Sequence, residues 1–273
     1  MIRGFTPAYR GGAGPPLVLV HGFTDTWRTW ELVLPALERH HEVLAPTLPG
    51  HAGGPALETP PTRATLADAV ERAMDDAGFE TAHVAGNSLG GYVALQLAAR
   101  GRARSVVAFA PAGGWPAGDT GLAETLGFFR TMHAQVRAAA PFADAIASTP
   151  AGRRRATAYL TTSFEHIPAE LVSHQIRGAA GCDGALSLIE LAERDGYPLD
   201  AGRIACPLRI VWGTADRLLP WPAAAAAHRT SFPDADWVVL DDVGHSPQLD
   251  VPLEAAQLAL GLTVRRATRI QSG

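Results

Sequence analysis

The stretch that decides the fold of this chain reads Ala82-His83-Val84-Ala85-Gly86-Asn87-Ser88-Leu89-Gly90-Gly91. It opens with a short apolar run that is typical of a buried strand, and a helix-like segment, residues 92–99, follows it. Ser88 therefore lies on a sharp turn between a strand and a helix, and the surrounding glycines remove side chains that such a turn cannot hold. This arrangement raises the serine hydroxyl above the edge of a sheet, where a carbonyl group can reach it.

Strand-like and helix-like segments alternate on both sides of this turn. Further short apolar runs predict strands at residues 17–20, 42–45, 106–109, 208–212 and 237–240. Helical spacing and composition predict helices at residues 26–40, 65–78 (with Thr65 as N-cap), 223–227 and about 253–266. The alternation predicts an α/β fold with a mostly parallel central sheet that helices cover on both faces.

One long segment interrupts this alternation. Between residues 115 and 203 no strand-like run occurs, and apolar residues recur at helical spacing instead. We therefore expect two parts: a core formed by residues 1–114 and 204–273, and a helical block, residues 115–203, inserted into it.

Composition narrows the classes of function. The 273 residues are 47% hydrophobic and 18% charged, with a formal net charge of −4, as in an ordinary globular protein with one sizeable core. All 23 basic residues are arginines, and because they form no basic stripe we expect no nucleic-acid partner. No apolar stretch approaches the roughly 20 residues that span a bilayer. No secretory signal is visible either, so we expect no membrane association and a cytoplasmic location.

The sequence gives no sign of a bound metal or cofactor. Cys182 and Cys206 occur without metal-type spacing. The glycine-rich turn at Ser88 lacks the lysine of a phosphate-binding loop and the spacing of a dinucleotide fingerprint. We therefore expect no metal and no cofactor. The oligomeric state has no readable signal.

Ser88 needs partners if it is a nucleophile, because a serine hydroxyl must lose its proton as it attacks. A general base has to lie within hydrogen-bond reach, and a carboxylate has to orient that base. His245 follows the last predicted strand and Asp216 follows the strand before it, so we expect both at the sheet edge that carries Ser88. Asp241 and Asp242 compete for the role of the acid, but they are too close in sequence to His245 to reach its imidazole easily.

With the chain order Ser88, Asp216, His245, this sequence resembles the α/β-hydrolase superfamily, specifically its lidded, esterase-like serine hydrolases. The resemblance covers residues 17–114 and 207–245. It implies the α/β-hydrolase fold, with the helical block as a lid over the serine. It also implies that the three residues named form a catalytic triad.

The resemblance assigns further roles near the serine. It implies an oxyanion hole formed by the backbone N–H groups of Phe23 and Leu89, with His21 shaping the loop before Phe23. The family often carries Asp-x-Pro-Gly-His-Gly after the next strand, whereas residues 47–52 here read Thr-Leu-Pro-Gly-His-Ala. The turn is kept and two residues of the pattern are replaced, so we expect a change in local loop bonding and none in catalysis.

The helical block contains the candidates for contact with substrate. These are large apolar side chains, namely Trp115, Phe128, Phe129 and Met132. A concave pocket between a lid and a core is the default binding site in such a protein. We therefore expect a small-molecule substrate with an apolar acyl or alcohol part.

Ester chemistry is the leading hypothesis: a carboxylesterase-like enzyme that cleaves a carboxylic ester, lactone or thioester through an acyl-enzyme. Hydrolases of C–C bonds in ring-cleavage products are an alternative, because residues 87–91 are similar to that family. Those enzymes usually carry an aromatic residue after the base, where this chain has Ser246. A non-enzymatic small-molecule receptor and an acyltransferase on the same fold stay open. Epoxide hydrolases and dehalogenases of this fold use an aspartate nucleophile, so Ser88 argues against them.

Overall fold

The structure, a computed structural model, describes residues 4–57 and 60–270, with side chains described through residue 264. Its strands are β1 (Ala8–Gly12), β2 (Pro16–Val20), β3 (Glu42–Pro46), β4 (Ala82–Asn87), β5 (Ala103–Phe109), β6 (Leu208–Gly213) and β7 (Asp236–Leu240). Within these residues they form one seven-stranded sheet in the order β1-β3-β2-β4-β5-β6-β7. Neighbouring strands from β3 to β7 pair in parallel, and the edge strand β1 pairs antiparallel with β3.

The parallel sheet brings the predicted site residues to one edge. The carboxyl ends of parallel strands lie at the same edge of a sheet. Ser88 directly follows β4, while Asp216 and His245 follow β6 and β7 after short connections. The loop that begins at His21 follows β2 at this edge as well. The predicted α/β-hydrolase fold with its mostly parallel sheet is confirmed.

Helices cover both faces of the sheet. They are α1 (Leu34–Leu37), α2 (Thr65–Asp76), α3 (Leu89–Ala99), α4 (Thr120–Ala139), α5 (Ala143–Ser148), α6 (Pro150–Thr157), α7 (Ala169–Ala180), α8 (Ala185–Asp195), α9 (Ala226–Ser231), α10 (Pro247–Asp250) and α11 (Pro252–Ile270). Alternate residues of β2 enter two apolar clusters: Val18 and Val20 pack with α2 and α3, while Leu17 and Leu19 pack with α1 and α11. In the described part of the chain, none of the helices is both long and apolar enough to cross a bilayer.

The single helix predicted for residues 26–40 is wrong. The segment forms a 3₁₀ turn, Trp27–Trp30, followed by the short α1, which has Pro35 in its first turn. A proline lacks the N–H that would bond to the preceding turn, and its ring clashes with the carbonyl four residues earlier. A continuous helix therefore cannot run through this segment.

Three finer features also differ from the sequence patterns. Ala64 is the N-cap of α2 and Thr65 is its first residue, and the hydroxyl of Thr65 accepts from the N–H of Thr62 at 2.9 Å ahead of the helix. The alanine run at residues 223–227 enters α9 only with its last two residues. The patterns do not predict β1, because this edge strand contains two glycines and alternates between half-buried and exposed residues without an apolar run.

The chain between β5 and β6 contains helices α4 to α8. We call residues 115–203 the helical insertion. Its two ends meet, because the N–H of Tyr197 donates to the carbonyl of Trp115 and the N–H of Gly114 donates to the carbonyl of Tyr197, both at 2.8 Å. The insertion has a small apolar cluster of its own, which also takes in Leu249 of α10. The insertion therefore packs directly against the segment that follows β7.

Candidate active site

Ser88 occupies the turn between β4 and α3 with a positive φ of 57° and a ψ of −119°. Few residues other than glycine adopt a positive φ, so the surrounding structure must hold Ser88 there. Its N–H donates to the carbonyl of Phe109 at 2.9 Å, and its carbonyl accepts from Ala112 at 2.9 Å and from Tyr92 at 3.1 Å. The backbone is thus fixed on both sides of the serine hydroxyl.

Close approach of backbones explains the glycines around Ser88. A Cβ atom on Gly86 would overlap the carbonyl oxygen of Gly90, and a Cβ atom on Gly90 would overlap the carbonyl oxygen of Val20. Rotating a side chain cannot relieve an overlap with backbone, so these positions require glycine. The end of β2, the turn at Ser88 and the start of α3 are therefore packed backbone to backbone.

Asp216 and His245 form a buried pair at the same sheet edge. Nδ1 of His245 lies 2.8 Å from Oδ2 of Asp216, and the two side chains are 3% and 0% exposed. The other oxygen, Oδ1 of Asp216, accepts from the N–H groups of Leu218 and Leu219 at 2.8 Å each. Because a carboxylate only accepts hydrogen bonds, the imidazole proton lies on Nδ1 and leaves Nε2 as an acceptor. This is the tautomer that a general base for a serine needs.

The base loop, residues 242–250, is bonded to the turn that carries Ser88. Asn87 donates from its side-chain amide to the carbonyl of His245 at 2.9 Å. The amide oxygen of Asn87 accepts from the side chain of Gln248 at 3.1 Å. Asn87 therefore connects the nucleophile turn to the base loop. Sequence reasoning missed this role, for which the one signal was an amide next to the serine.

The predicted oxyanion donors lie beside Ser88. Phe23 and Leu89 both line the cavity that Ser88 faces. Leu89 is the first residue of α3, so its N–H has no acceptor within the helix. A Cβ atom on Gly22 would lie 3.3 Å from the Cβ of Ser88, so the peptide group before Phe23 runs directly past the nucleophile.

His21 orients the peptide group between Gly22 and Phe23. The N–H of Leu48 donates to Nε2 of His21 at 2.9 Å, so the proton of the neutral ring lies on Nδ1, which donates to the carbonyl of Gly22 at 2.8 Å. Burial lowers the pKa of His21 well below its usual value and the nearby His51 lowers it further, so the ring is neutral. The C=O and N–H of a trans peptide point in opposite directions, so this bond also orients the N–H of Phe23.

An apolar cavity lies above Ser88, between the core and the helical insertion. Its wall consists of Phe23, Ser88, Leu89, Ala112, Trp115, Leu122, Thr125, Leu126, Phe129, Leu188, Ile189, Tyr197 and Leu219. Among the described residues, no side chain in this wall carries a charge. A cavity with this lining suits a small apolar group.

The structure brings only two of the four predicted substrate-contact residues to this cavity, Trp115 and Phe129. Phe128 points elsewhere and packs against Tyr159, with the ring centroids 5.0 Å apart. Consecutive residues of a helix project about 100° apart, so Phe128 and Phe129 cannot share one face of α4. Met132, one turn beyond Phe129, is also absent from the wall.

Sequence reasoning missed the aliphatic part of the wall. It comes mainly from α4 and α8, through Leu122, Leu126, Leu188 and Ile189. These residues recur at helical spacing, which is also the pattern of an ordinary buried helix face. The sequence therefore holds no signal that separates them from packing residues.

Metal ligands and cysteine thiols are the other groups in the described part of the chain that could carry chemistry. Within the described residues, no three His, Cys, Asp or Glu side chains are grouped so that they could hold a metal ion. No disulfide joins Cys182 to Cys206. Burial raises the pKa of Cys182 to about 12, which leaves it protonated and unreactive near neutral pH.

Comparison with known proteins identifies the family of this chain. Residues 17–258 match the model of the alpha/beta hydrolase family. The chain is 34% identical over 197 residues to epoxide hydrolase EphH of Mycobacterium tuberculosis, covering 71% of this chain and 92% of that relative. It is 32% identical over 261 residues to pimeloyl-[acyl-carrier protein] methyl ester esterase of Aromatoleum aromaticum, covering 89% and 96%.

Among solved structures, the enol-lactonase from Burkholderia xenovorans LB400 is similar with a TM-score of 0.73 at 21% identity, covering 94% of this chain and 95% of that chain. A likeness at this identity concerns the fold alone. The match to the family model, however, extends over most of the chain and includes Ser88, Asp216 and His245. The chain belongs to the alpha/beta hydrolase family.

Proposed function

We propose that this protein is a serine hydrolase that cleaves a neutral carboxylic ester through an acyl-enzyme intermediate. One observation carries the proposal: a strained Ser88 lies in the wall of an apolar cavity, at the sheet edge that also holds the buried Asp216–His245 pair. Phe23 and Leu89 are the proposed oxyanion donors. A lactone or a thioester would react by the same steps.

The proposed mechanism follows from the tautomer of His245. Nε2 accepts the proton of Ser88 as the serine oxygen attacks the acyl carbon and the carbonyl oxygen becomes an oxyanion. The N–H groups of Phe23 and Leu89 donate to this oxyanion, and each such donor is worth about 3 kcal/mol of barrier. As the tetrahedral intermediate collapses, His245 returns the proton to the departing alcohol. Water then attacks the acyl-enzyme with His245 as base, which releases the acid and frees Ser88.

We assign the helical insertion the role of a lid over this chemistry. Its helices α4 and α8 supply Leu122, Leu126 and Leu188 to the cavity wall. Excluding water from the site strengthens every hydrogen bond to the oxyanion. Each square ångström of apolar surface that the substrate buries here contributes about 25 cal/mol to binding. The expected partner is therefore a small molecule with an apolar part.

The absence of charge from the described part of the cavity wall favours an uncharged acyl group. A carboxylate that entered the cavity would leave water without a cationic side chain to receive it, which costs several kcal/mol. The dienoate products on which C–C hydrolases of this fold act carry such a carboxylate. The cavity therefore supports ester cleavage over C–C cleavage.

The names of the two relatives point in different directions, and Ser88 favours one of them. The Aromatoleum relative is named for cleavage of a methyl ester. The Mycobacterium relative is named for epoxides, which members of this fold open with an aspartate nucleophile. This chain has a serine at the nucleophile turn, and a serine suits acyl transfer.

Ser88→Ala tests the proposal directly. Wild type should hydrolyse p-nitrophenyl butyrate and react with a fluorophosphonate probe, whereas the variant should lose labelling and at least about 10³-fold in kcat. Ser148→Ala, at an exposed serine of α5, is the matched control and should keep both properties. If wild type labels no better than Ser88→Ala, the protein is not a serine hydrolase.

A matched pair of substrates tests the neutral acyl group. p-Nitrophenyl butyrate and p-nitrophenyl hydrogen succinate contain four acyl carbons each and differ in a terminal carboxylate. Burying that carboxylate without a cation should lower kcat/KM by about 100-fold, equivalent to roughly 3 kcal/mol. Equal kcat/KM for the two esters would mean that the acyl group does not enter this cavity.

A further inference from the structure

Asp250, at the end of α10, is a buried carboxylate whose shortest hydrogen bonds come from backbone N–H groups and not from a cation. The hydroxyl of Thr162 adds longer contacts, at 3.4 Å to Oδ1 and 3.2 Å to Oδ2. Asp250 is 3% exposed, and in the described part of the chain no Arg or His side chain forms an ion pair with it. Oδ2 accepts from the N–H of Gly244 at 2.7 Å and from the N–H of Thr162 at 2.9 Å, and Oδ1 accepts from the N–H of Ser163 at 2.9 Å. One of these donors directly precedes His245, and the other two belong to the helical insertion.

These three bonds explain how the protein tolerates the buried charge. An ionised carboxylate loses its hydration on burial, and hydrogen bonds to an ionised acceptor are about twice as strong as neutral ones. Three N–H donors therefore offset much of the cost of burying Asp250. An uncharged side chain of the same size could not draw together three donors from two separate segments as strongly.

The connection between α6 and α7, residues 158–168, holds the base loop at other points as well. The N–H of Ser246 donates to the carbonyl of Leu160 at 2.8 Å. The hydroxyl of Thr162 donates to the carbonyl of Asp242 at 2.7 Å. A Cβ atom on Gly244 would lie only 2.7 Å from the carbonyl oxygen of Leu160, so the two backbones meet directly.

The backbone on both sides of His245 is thus tied to the insertion, on one side through Asp250 and on the other side directly. The N–H of Gly244 is held by Asp250, and the N–H of Ser246 is held by Leu160. We propose that Asp250 is a positioning residue that fixes His245 by tying the base loop to the helical insertion. This inference rests on the proposed role of His245 as the general base. It makes the insertion a support for the base in addition to a wall of the cavity.

In two variants of Asp250, the loss of kcat should follow the number of hydrogen bonds that each substitution removes. Asp250→Ala loses the three N–H bonds and the longer contacts from the Thr162 hydroxyl. Asp250→Asn can place its oxygen at Oδ2 and keep the N–H groups of Gly244 and Thr162, but its NH₂ then replaces the acceptor of Ser163. Misplacing a catalytic group by about 1 Å costs on the order of 100-fold in rate. We expect kcat to fall by about that factor in Asp250→Ala and by about 10-fold in Asp250→Asn, with KM changing less than about 3-fold.

A purely structural role would give a different pattern. Asp144→Asn is the matched control, because Asp144 is an exposed carboxylate of α5 that pairs with Arg177 at 2.6 Å away from the base loop. The control should keep wild-type kcat. A second readout is the rate of fluorophosphonate labelling against pH. Because a loosened His245 is less often placed to accept the proton of Ser88, the labelling rate of the Asp250 variants should lie below that of wild type throughout this profile, by the same factor as kcat.

The wild-type measurement comes first, because it separates this inference from the proposed function. If the probe does not label Ser88 in wild type, the proposed function has failed. If it does, and folded Asp250→Asn keeps the wild-type kcat and labelling profile, Asp250 does not position His245. If Asp250→Ala fails to fold, the graded loss in Asp250→Asn still decides the question, with the folded fraction measured by circular dichroism.

Discussion

The sheet edge and the helical insertion both contribute to the wall of one cavity, yet different contacts determine their structure. At the sheet edge, backbone meets backbone: Gly86 and Gly90 leave no room for a Cβ atom, and Ser88 is held at a positive φ. In the insertion, aliphatic side chains form the wall, and Gly127 in the middle of α4 has nothing within 4 Å of the place of a Cβ atom. The first kind of contact demands particular residue types, whereas the second accepts many.

This difference separates the chemistry of the site from its specificity. The proposed proton transfer depends on a fixed backbone, because Ser88 and His245 have to meet within hydrogen-bond distance. The shape of the cavity depends on side chains such as Leu126. Substituting such a side chain by another apolar one of similar volume costs little stability. The two regions meet at Asp250, which belongs to the base loop and bonds to the insertion.

Among the predictions for the sheet edge, removing the charge of Asp216 should cause the largest loss of activity. In Asp216→Asn the amide oxygen can keep the N–H groups of Leu218 and Leu219, which turns the amide NH₂ toward Nδ1 of His245. That donor would move the imidazole proton to Nε2, where it blocks transfer from Ser88. We expect kcat for p-nitrophenyl butyrate to fall by about 10⁴-fold with little change in stability.

The control for this variant is Asp241→Asn, because Asp241 is an alternative candidate for the acid in the sequence. Asp241 is exposed and accepts from the hydroxyl of Thr214 at 3.1 Å. Its variant should hydrolyse the ester at the wild-type rate. Equal losses in Asp216→Asn and Asp241→Asn would show that the Asp216–His245 pair is not the one that orients the base.

Glycine-to-alanine substitutions should affect the two regions with opposite sign. Gly90→Ala would place a Cβ atom against the carbonyl oxygens of Val20 and His21, which cannot move without shifting β2. We expect a loss of about 3 kcal/mol in the free energy of unfolding. Gly127→Ala places its Cβ atom in open space at an exposed position of α4. It should instead raise the free energy of unfolding by about 0.5–1 kcal/mol, because alanine loses less backbone entropy than glycine in a helix.

Urea unfolding of both variants measures these two changes in the free energy of unfolding. The slope of that free energy against urea concentration should be the same in both variants and in wild type, so that the midpoints can be compared. Wild type is the common reference, and Gly127→Ala serves as the control for adding a methyl group to a helix. A Gly90→Ala protein as stable as wild type would mean that the turn at Ser88 is not packed as tightly as the backbone positions imply.

Much of the core is predictable from the sequence, because buried parallel strands leave short apolar runs. The strand before Ser88 and the strands before Asp216 and His245 are all present where these runs predict them. Parallel pairing then brings their ends to one edge without further information. The edge strand β1 has no apolar run, and Pro35 breaks a segment whose spacing alone suggests a helix.

The cavity wall is much harder to predict than the sheet edge. Large aromatic residues stand out in a sequence, but which of two neighbours faces the cavity depends on the rotation of α4 about its axis. That rotation is determined by long-range packing, as with Leu122 and Leu126 against the main core. The bonds of Asp250 to the insertion and of Asn87 to the base loop are likewise invisible in the sequence, since these partners lie 87 to 161 residues away in the chain.

The two adjacent aromatic residues of α4 give the smallest expected effect and the most direct test of this rotation. Phe129→Ala removes a ring from the cavity wall and its contact with Phe23, 5.3 Å between centroids. It should lower kcat/KM for p-nitrophenyl butyrate by about 10-fold, the equivalent of one lost apolar contact of roughly 1.4 kcal/mol. Phe128→Ala removes a ring that lies outside the cavity wall and packs against Tyr159 and Phe129, so it should leave kcat/KM within about 2-fold of wild type. A larger loss in Phe128→Ala than in Phe129→Ala would mean that α4 presents its other face to the substrate.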